Sequence, residues 1–128
     1  MVNNIFEKFN LRDEIIIITG AAGLLGEMHA ETVLEAGGKA VLLDIDKEKL
    51  NSKLKVLQKS YADNVLGLTC DITNKSELKK ILNLVLDKYG KITGLINNAA
   101  NDPKVDHDNN SQVLTRFENF PITRWQQD

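Results

Sequence analysis

The chain has 128 residues, with 16 Lys and Arg against 18 Asp and Glu, so its net charge at pH 7 is -2. A chain of this length fits one compact domain with a real core, whereas its balanced charge lacks the basic surface that nucleic acid requires. Its apolar runs are far shorter than the roughly 20 residues that span a bilayer, and no secretory apolar region begins the sequence. We therefore expect a single domain over residues 1–128 that is soluble and cytoplasmic, with no nucleic-acid or membrane partner.

The first half of the chain alternates between an apolar run and an amphipathic segment. Ile15 to Ile18 are β-branched without polar alternation, which predicts a strand covered on both faces. After Gly20 and Gly23, the stretch LLGEMHAETVLEAGG predicts a helix that ends at Gly37 and Gly38. The residues on its expected apolar face are Leu25, Met28, Thr32 or Val33, and Ala36. KAVLLDID then predicts the second strand.

The second half repeats this alternation. DKEKLNSKLKVLQKSYA predicts a helix with a charged, solvated face and an apolar stripe at i, i+4, i+7 and i+11, formed by Leu50, Leu54, Leu57 and Tyr61. NVLGLTCDI predicts the third strand, and Thr73 is expected to cap the next helix. The stripe of that helix, which ends at Gly90, consists of Leu78, Ile81, Leu82, Val85 and Tyr89. KITGLINNAA predicts the fourth strand, and the polar residues 101–112 predict a loop.

The order of these elements predicts the fold class. Strands that alternate with helices through short links are typical of an α/β protein with a right-handed, doubly wound parallel sheet. An α/β domain with another winding is the alternative.

The cysteine and histidine content predicts no metal site. Cys70 is the only cysteine, which excludes an internal disulfide and a cysteine-built zinc site, and it is interpreted as a small buried apolar group. His29 and His107 have no second ligand at suitable spacing. The stretch DHD at 106–108 is interpreted as part of a solvated loop.

Gly20, Gly23 and Gly26 lie where the first strand passes into the first long helix. A glycine-rich turn in this position is typical of dinucleotide binding. Gly20 permits the tight turn, Gly23 lets the backbone approach a pyrophosphate, and Gly26 lets helix and strand pack closely. The anion would lie at the helix N-terminus, where free N–H groups and the helix dipole favour negative charge. A structural turn without a ligand is the alternative that the glycines alone leave open.

Polar residues also follow the other three strands. Asp44 ends the second strand about 20 residues beyond the glycines, where a carboxylate can accept hydrogen bonds from both hydroxyls of an adenosine ribose. Neither Ala22 nor Ile45 supplies a cation for a 2′-phosphate, so the sequence favours NAD over NADP. Asp71 follows the third strand and Asn97 the fourth. Taken singly, each of these three residues could simply cap a helix or form a hydrogen bond at a strand end. Taken together, they converge on the crevice where such sheets bind ligands.

Five stretches together resemble the N-terminal half of the short-chain dehydrogenase/reductase family: FNLRDEIIIITGAAGLLG, LLDID, LTCDIT, GLINNAA and RW. The resemblance covers the chain from Phe9 onward except for Asn101 to Asn110, and NNAA is its most specific element. It implies a Rossmann-like sheet of strand order 3-2-1-4, truncated after about four strands. The glycine spacing of three and three is like the extended, sugar-nucleotide branch, whereas the region of Trp125 looks like the classical branch, and Ala100 replaces the family's usual glycine.

The resemblance also implies roles for individual residues. The residues expected around the pyrophosphate are Thr19, Gly20, Gly23, Leu25 and Gly26. The adenosine is expected to contact Asp44 at its ribose, with Ile45 beside it, and Asp71 and Ile72 at its adenine. Asn97 and Ala99 are expected to steady the fourth strand beside the cofactor.

The catalytic group of that family is missing from this sequence. The family transfers a hydride with a tyrosine, a lysine four residues later, a serine and an asparagine. Tyr61 and Tyr89 are followed at that distance by Val65 and Thr93, and both tyrosines lie on apolar stripes, so we predict no catalytic residue here. The chain is expected to be the cofactor-binding part of an NAD-dependent oxidoreductase that acts on a small molecule. A non-catalytic nucleotide-binding module and a fragment of a nucleotide-sugar epimerase or dehydratase are the alternatives.

A sheet that stops at its fourth strand has an open edge with unpaired backbone groups. We therefore expect the chain to be a piece of a longer protein and to self-associate as a homo-oligomer through that edge.

Overall fold

The computed structural model describes residues 5–100 and, beyond them, position 122 alone. The helices are α1 (Ile5–Lys8), α2 (Leu24–Glu35), α3 (Lys47–Tyr61) and α4 (Lys75–Tyr89), and a 3₁₀ turn covers Ala62–Asn64. The strands are β1 (Ile15–Thr19), β2 (Lys39–Asp44), β3 (Val65–Thr69) and β4 (Gly94–Ile96). The predicted loop at 101–112, with His107, and the RW dipeptide lie outside the described residues.

The four strands form one parallel sheet in the order β3-β2-β1-β4. Ile17 of β1 pairs with Val41 of β2 on one side and with Leu95 of β4 on the other, while Asp44 at the end of β2 lies opposite Thr69. The predicted doubly wound α/β sheet and its strand order are therefore confirmed. Because the strands are parallel, all of their carboxyl ends meet at one edge of the sheet.

The sheet separates two apolar cores, because successive side chains of a strand point to opposite faces. On β2, Ala40 and Leu42 pack with α2 and α3, whereas Val41 and Leu43 pack with α4. Full burial of an aliphatic side chain of this size stabilises a fold by roughly 1.5–3 kcal/mol. Cys70 is buried in the second core as a free thiol, which confirms its interpretation as a small apolar group.

The predicted apolar face of α2 is largely wrong. Leu25 and Met28 are 63% and 54% exposed, and of the predicted set only Val33 is buried. The buried residues of this helix are Gly26, Ala30, Val33 and Leu34. Small residues at Gly26 and Ala30 allow α2 to lie close against the glycine turn and the sheet, so its orientation is set by that close approach and not by its largest side chains.

The predicted stripe of α3 is confirmed, whereas that of α4 is confirmed in part. Leu50 and Leu57 are buried, and Leu54 and Tyr61 pack against the same core. On α4, Ile81 and Val85 are buried and Tyr89 is half-buried, all at a spacing of four. Leu78 and Leu82 are exposed because only that single line of residues faces the sheet. None of the helices in the described part of the chain has the length and apolar character needed to cross a bilayer.

The N-terminus of α4 differs from the prediction by one residue. The side-chain oxygen of Asn74 accepts hydrogen bonds from the backbone N–H groups of Ser76 and Glu77, at 3.0 and 3.4 Å, so Asn74 is the cap. Thr73 lies one residue too early, and its hydroxyl donates to Asp71 at 2.7 Å. The prediction of Thr73 was wrong because either residue type can fill a cap position, and the sequence does not show where the helix begins.

Candidate functional site

The turn between β1 and α2 needs two of its glycines for steric reasons. Gly20 has a φ of +62°, and a Cβ there would lie 2.8 Å from the Cα of Ala99. A Cβ on Gly26 would lie 2.3 Å from the carbonyl oxygen of Gly20 and 2.6 Å from the Cα of Ala21. The turn is therefore held between the first turn of α2 and the segment that follows β4.

The N-terminus of α2 is open towards the carboxyl edge of the sheet. Gly23 occupies the cap position, with a φ of -76°, and no side chain there accepts a hydrogen bond from the helix. The first N–H groups of an α-helix have no partner within the helix, and they carry the positive end of its dipole. This helix end therefore offers hydrogen-bond donors and partial positive charge to an anion.

Asp44 connects the glycine turn to the start of α3. Its Oδ2 accepts a hydrogen bond from the backbone N–H of Ala22 at 2.8 Å, and its Oδ1 accepts one from the N–H of Asp46 at 2.9 Å. Each carboxylate oxygen can accept a second hydrogen bond. The side chain is thus fixed in orientation by the backbone and retains the capacity to bind hydroxyl groups.

Two charged residues beside Asp44 were not predicted as part of the site. Asp46 caps α3 by accepting from the N–H of Lys49 at 3.0 Å, and its other oxygen lies 2.9 Å from the amine of Lys49. These contacts from Lys49 lower the pKa of Asp46, while the carboxylate of Asp46, and more weakly that of Asp44, raises the pKa of Lys49. The only signal in the sequence was an acidic cap followed three residues later by a lysine.

Asp71 lies in a tight turn just after β3. Its carboxylate accepts hydrogen bonds from the hydroxyl and the N–H of Thr73, at 2.7 and 2.9 Å, and these bonds lower the pKa of Asp71. Its own N–H donates to Glu77 at 2.9 Å. Ile72 is exposed next to it. The N–H of Cys70 donates to the carbonyl of Asp44 at 2.9 Å, which places the Asp71 turn beside the end of β2.

Asn98, and not the predicted Asn97, makes the contacts that bind the segment after β4 to the glycine turn. Its side-chain amide donates to the carbonyl oxygens of Thr19 and Gly20, each at 3.1 Å. The buried hydroxyl of Thr19 accepts from the N–H groups of Asn98 and Ala99, at 3.1 and 3.0 Å. Asn97 is exposed. Sequence reasoning missed Asn98, although its position in NNAA was already singled out.

A cavity of about 860 Å³ lies over this edge of the sheet. The predicted residues that line it are Gly20, Gly23, Leu25, Asp44, Ile45, Asp71, Ile72 and Ala99. Thr19 and Gly26 are buried and do not line it, and Asn97 does not line it either. The lining residues that were not predicted are Ala22, Leu24, Leu43, Asp46, Lys49, Cys70, Asn98 and Ala100.

The cavity combines an open helix N-terminus with a fixed carboxylate. The volume is within the range of roughly 300–1,000 Å³ that small-molecule sites occupy. Such an arrangement suits a ligand that carries both an anionic group and a pair of hydroxyls. Within residues 5–100, no three side chains of His, Cys, Asp or Glu are grouped so that they could hold a metal ion.

Comparisons with known proteins identify the family of the chain. A family model described as short chain dehydrogenase matches residues 14–126. An NAD-dependent glycerol dehydrogenase of Listeria innocua is 37% identical over 121 residues, which are 94% of this chain and 42% of that protein. The chain spans between 29% and 42% of the length of eight curated relatives that it matches.

Solved structures give the same result. A short-chain dehydrogenase/reductase from Burkholderia phymatum, in complex with NAD, is 30% identical with a TM-score of 0.66, and the match covers 70% of this chain and 32% of that one. An NADPH-dependent 3-quinuclidinone reductase from Rhodotorula rubra shares the fold, with a TM-score of 0.74 at 23% identity, over 99% of this chain and 44% of that one. The chain therefore belongs to the short-chain dehydrogenase family.

Proposed function

We propose that this chain is the dinucleotide-binding part of an NAD-dependent oxidoreductase. The observation that carries the proposal is that the uncapped N-terminus of α2 and the carboxylate of Asp44 line one cavity. Members of the short-chain dehydrogenase family bind a nicotinamide dinucleotide, and the NAD complex of a 30% identical protein supports the same ligand here. A cytoplasmic location and a homo-oligomeric state stay predictions.

The residues around the cavity fit the parts of a dinucleotide. The pyrophosphate would contact the turn at Gly20, Gly23 and Leu25, where a backbone without a Cβ at Gly23 permits close approach. Thr19 and Gly26 are buried beneath the cavity lining and would hold that turn in place. The adenosine ribose would bind Asp44, with Ile45 beside it.

The adenine end of the cofactor would lie at the turn after β3. Asp71 and Ile72 both line the cavity there, and Ile72 presents an exposed apolar side chain on which a base can pack. Ala99 lines the cavity beside β4, where Asn98 fixes the backbone. Asn97 follows β4 without lining the cavity, so it would only neighbour the segment that binds the cofactor.

The proposed preference for NAD over NADP follows from the negative charge of Asp44, which would lie beside the ribose. Asp44 would accept hydrogen bonds from neutral hydroxyls but would repel a 2′-phosphate. Lys49 is a cation on the same wall, but its amine is paired with Asp46 at 2.9 Å. An NADPH-dependent protein shares the fold, so the fold alone does not determine this preference.

When bound, the nicotinamide ring would supply or accept the hydride of the reaction. Neither tyrosine of this chain lines the cavity. The hydroxyl of Tyr89 donates to the carbonyl of Asp63 at 2.9 Å, and Tyr61 packs against the first core. We therefore propose that the proton-transfer residues lie in a part of the protein beyond residues 5–100. That part would also bind the small-molecule substrate.

Calorimetric titration with NAD and NADP tests the proposal. The wild-type chain should bind NAD more tightly than NADP. Asp44→Ala should weaken NAD binding by roughly 10- to 100-fold, since hydrogen bonds to a charged acceptor contribute about 1.5–3 kcal/mol. The substitution also removes the repulsion of a 2′-phosphate, so NADP affinity should not fall in parallel and the gap between the two affinities narrows. Asp87→Ala, an exposed carboxylate on α4 outside the cavity, is the matched control. Equal affinity of the wild type for both dinucleotides would contradict the preference.

A further inference from the structure

The cavity wall at the start of α3 holds one positive and two negative side chains. Asp44, Asp46 and Lys49 all line it. The N–H of Asp46 donates to Asp44 at 2.9 Å, and Lys49 contacts Asp46 through both its N–H and its amine. These contacts form a continuous chain from the carboxylate expected at the ribose to the amine of Lys49.

The two oxygens of Asp46 perform separate tasks. Oδ1 caps the helix by accepting from the N–H of Lys49 at 3.0 Å, whereas Oδ2 lies 2.9 Å from the Lys49 amine. An asparagine would keep the capping oxygen, because Asn and Asp are about equally good N-caps. It would replace the second oxygen by an amide that cannot neutralise a lysine. Asp46→Asn therefore separates the charge of this residue from its structural role.

Lys49 has the freedom to point elsewhere once this pairing is removed. The side chain of Lys49 is 72% exposed and that of Asp46 is 36% exposed. Exposed ion pairs are weak and are screened by salt. Lys49 also lines a second groove, between α2 and α3, together with Glu27 and Lys53, so its flexible stem lies on the ridge between two open spaces.

We propose that Asp46 and Lys49 form a second specificity element of the dinucleotide cavity, in which Asp46 withholds from a 2′-phosphate the only cation that the described residues place on this wall. The inference rests on the proposed function. Asp44 disfavours the phosphate by direct repulsion, whereas Asp46 acts through Lys49, as a positioning residue. The repulsion by Asp44 and the pairing of Lys49 both act on the phosphate. They leave the affinity for NAD almost unchanged, because its ribose hydroxyls are neutral.

The test is a set of variants titrated with NAD and with NADP at low ionic strength. Asp46→Asn should strengthen NADP binding by roughly threefold and change NAD binding by less than about twofold, as expected for exposed charges. Asp46→Asn combined with Lys49→Gln should lose the gain, and Asp46→Asn combined with Lys49→Arg should keep it. Glu48→Gln removes an exposed charge from the same helical turn without touching the cavity, and it should leave the ratio of the two affinities unchanged.

Each outcome bears on one of the two claims. If NAD binds but Asp46→Asn leaves NADP affinity unchanged, the inference is refuted and the proposed function stands. If the gain survives the additional Lys49→Gln substitution, the charge of Asp46 repels the phosphate directly and the role given to Lys49 is wrong. If the folded wild-type chain binds neither dinucleotide, the proposed function fails and the inference fails with it. Thermal unfolding of every variant tests whether the cap of α3 is retained.

Discussion

Replacement of Gly26 by alanine tests whether the close approach of α2 holds the site in shape. An ideal Cβ on Gly26 would lie 2.3 Å from the carbonyl oxygen of Gly20 and 2.6 Å from the Cα of Ala21. Both contacts are to backbone atoms, so no side chain can rotate out of the way. Ordinary contact begins near 3.4 Å, so the helix and the turn have to separate by about 1 Å.

That separation should destabilise the fold measurably. Extra atoms in a well-packed region cost about 1–3 kcal/mol and sometimes more, and a clash with backbone belongs at the upper end. The better helix propensity of alanine offsets up to about 1 kcal/mol. We expect the free energy of unfolding to fall by roughly 2–4 kcal/mol, which for a chain of this size lowers Tm by roughly 6–16 °C.

Urea and thermal unfolding measure this loss, with Gly23→Ala as the matched control. Gly23 has a φ of -76°, which suits alanine, and its Cβ would meet only the carbonyl oxygen of Gly20, at 3.3 Å. Gly23→Ala should change stability by less than about 1 kcal/mol yet weaken NAD binding, because Gly23 lines the cavity where the pyrophosphate would approach the backbone. If Gly26→Ala unfolds at the wild-type urea concentration, the tight contact does not constrain the turn and the reasoning is wrong.

Three further predictions follow from other contacts in the site. Asn98→Ala removes two hydrogen bonds to the glycine turn and should lower the free energy of unfolding by about 1–3 kcal/mol in urea titrations, with a parallel loss of NAD affinity. Cys70 should react with iodoacetamide only slowly until urea unfolds the chain, because the thiol is buried and burial raises its pKa. Hydrogen bonds from Thr73 lower the pKa of Asp71, so their contribution to stability is present above the unfolded pKa of about 3.9 and is lost as pH falls through the folded pKa. The stability difference between wild type and Thr73→Val should therefore shrink between pH 6 and pH 2.

The first of these measurements has a control in the chain, and each of the other two has an outcome that would contradict it. Asn83→Ala changes an exposed asparagine on α4 outside the cavity and should leave stability within about 0.5 kcal/mol of wild type. Rapid alkylation of Cys70 in the folded chain would contradict the burial of its thiol. A difference between wild type and Thr73→Val that stays constant with pH would show that the hydroxyl acts by packing alone.

The strands and the residue at the end of β2 could be predicted because their signals are local. Ile15 to Ile18 identify a strand covered on both faces by composition alone. Asp44 follows from the same reasoning, since it is the first polar residue after an apolar strand. The parallel order of the strands then brings Asp44 and the glycine turn to one edge without any further information.

The contacts that complete the site could not be predicted, because they depend on the fold. Asn97 and Asn98 are equivalent in the sequence, and only the direction of the chain after β4 turns Asn98 towards Thr19, 79 residues earlier. Lys49 belongs to a charged helix face that was interpreted as solvated, and it is largely exposed. Only the start of α3 at Asp46 brings it onto the cavity wall. The buried face of α2 was mispredicted because leucine and methionine outweigh glycine and alanine in any pattern of hydrophobicity.

The two backbone bonds that fix Asp44 limit how this protein could be redesigned for the phosphorylated cofactor. Replacing Asp44 by a small neutral residue would remove its repulsion of a 2′-phosphate. Here that exchange would also leave the amides of Ala22 and Asp46 without their acceptor, and the two loops that carry them would lose their common anchor. A cofactor swap in this scaffold therefore begins with new acceptors for those amides, and only then with the phosphate.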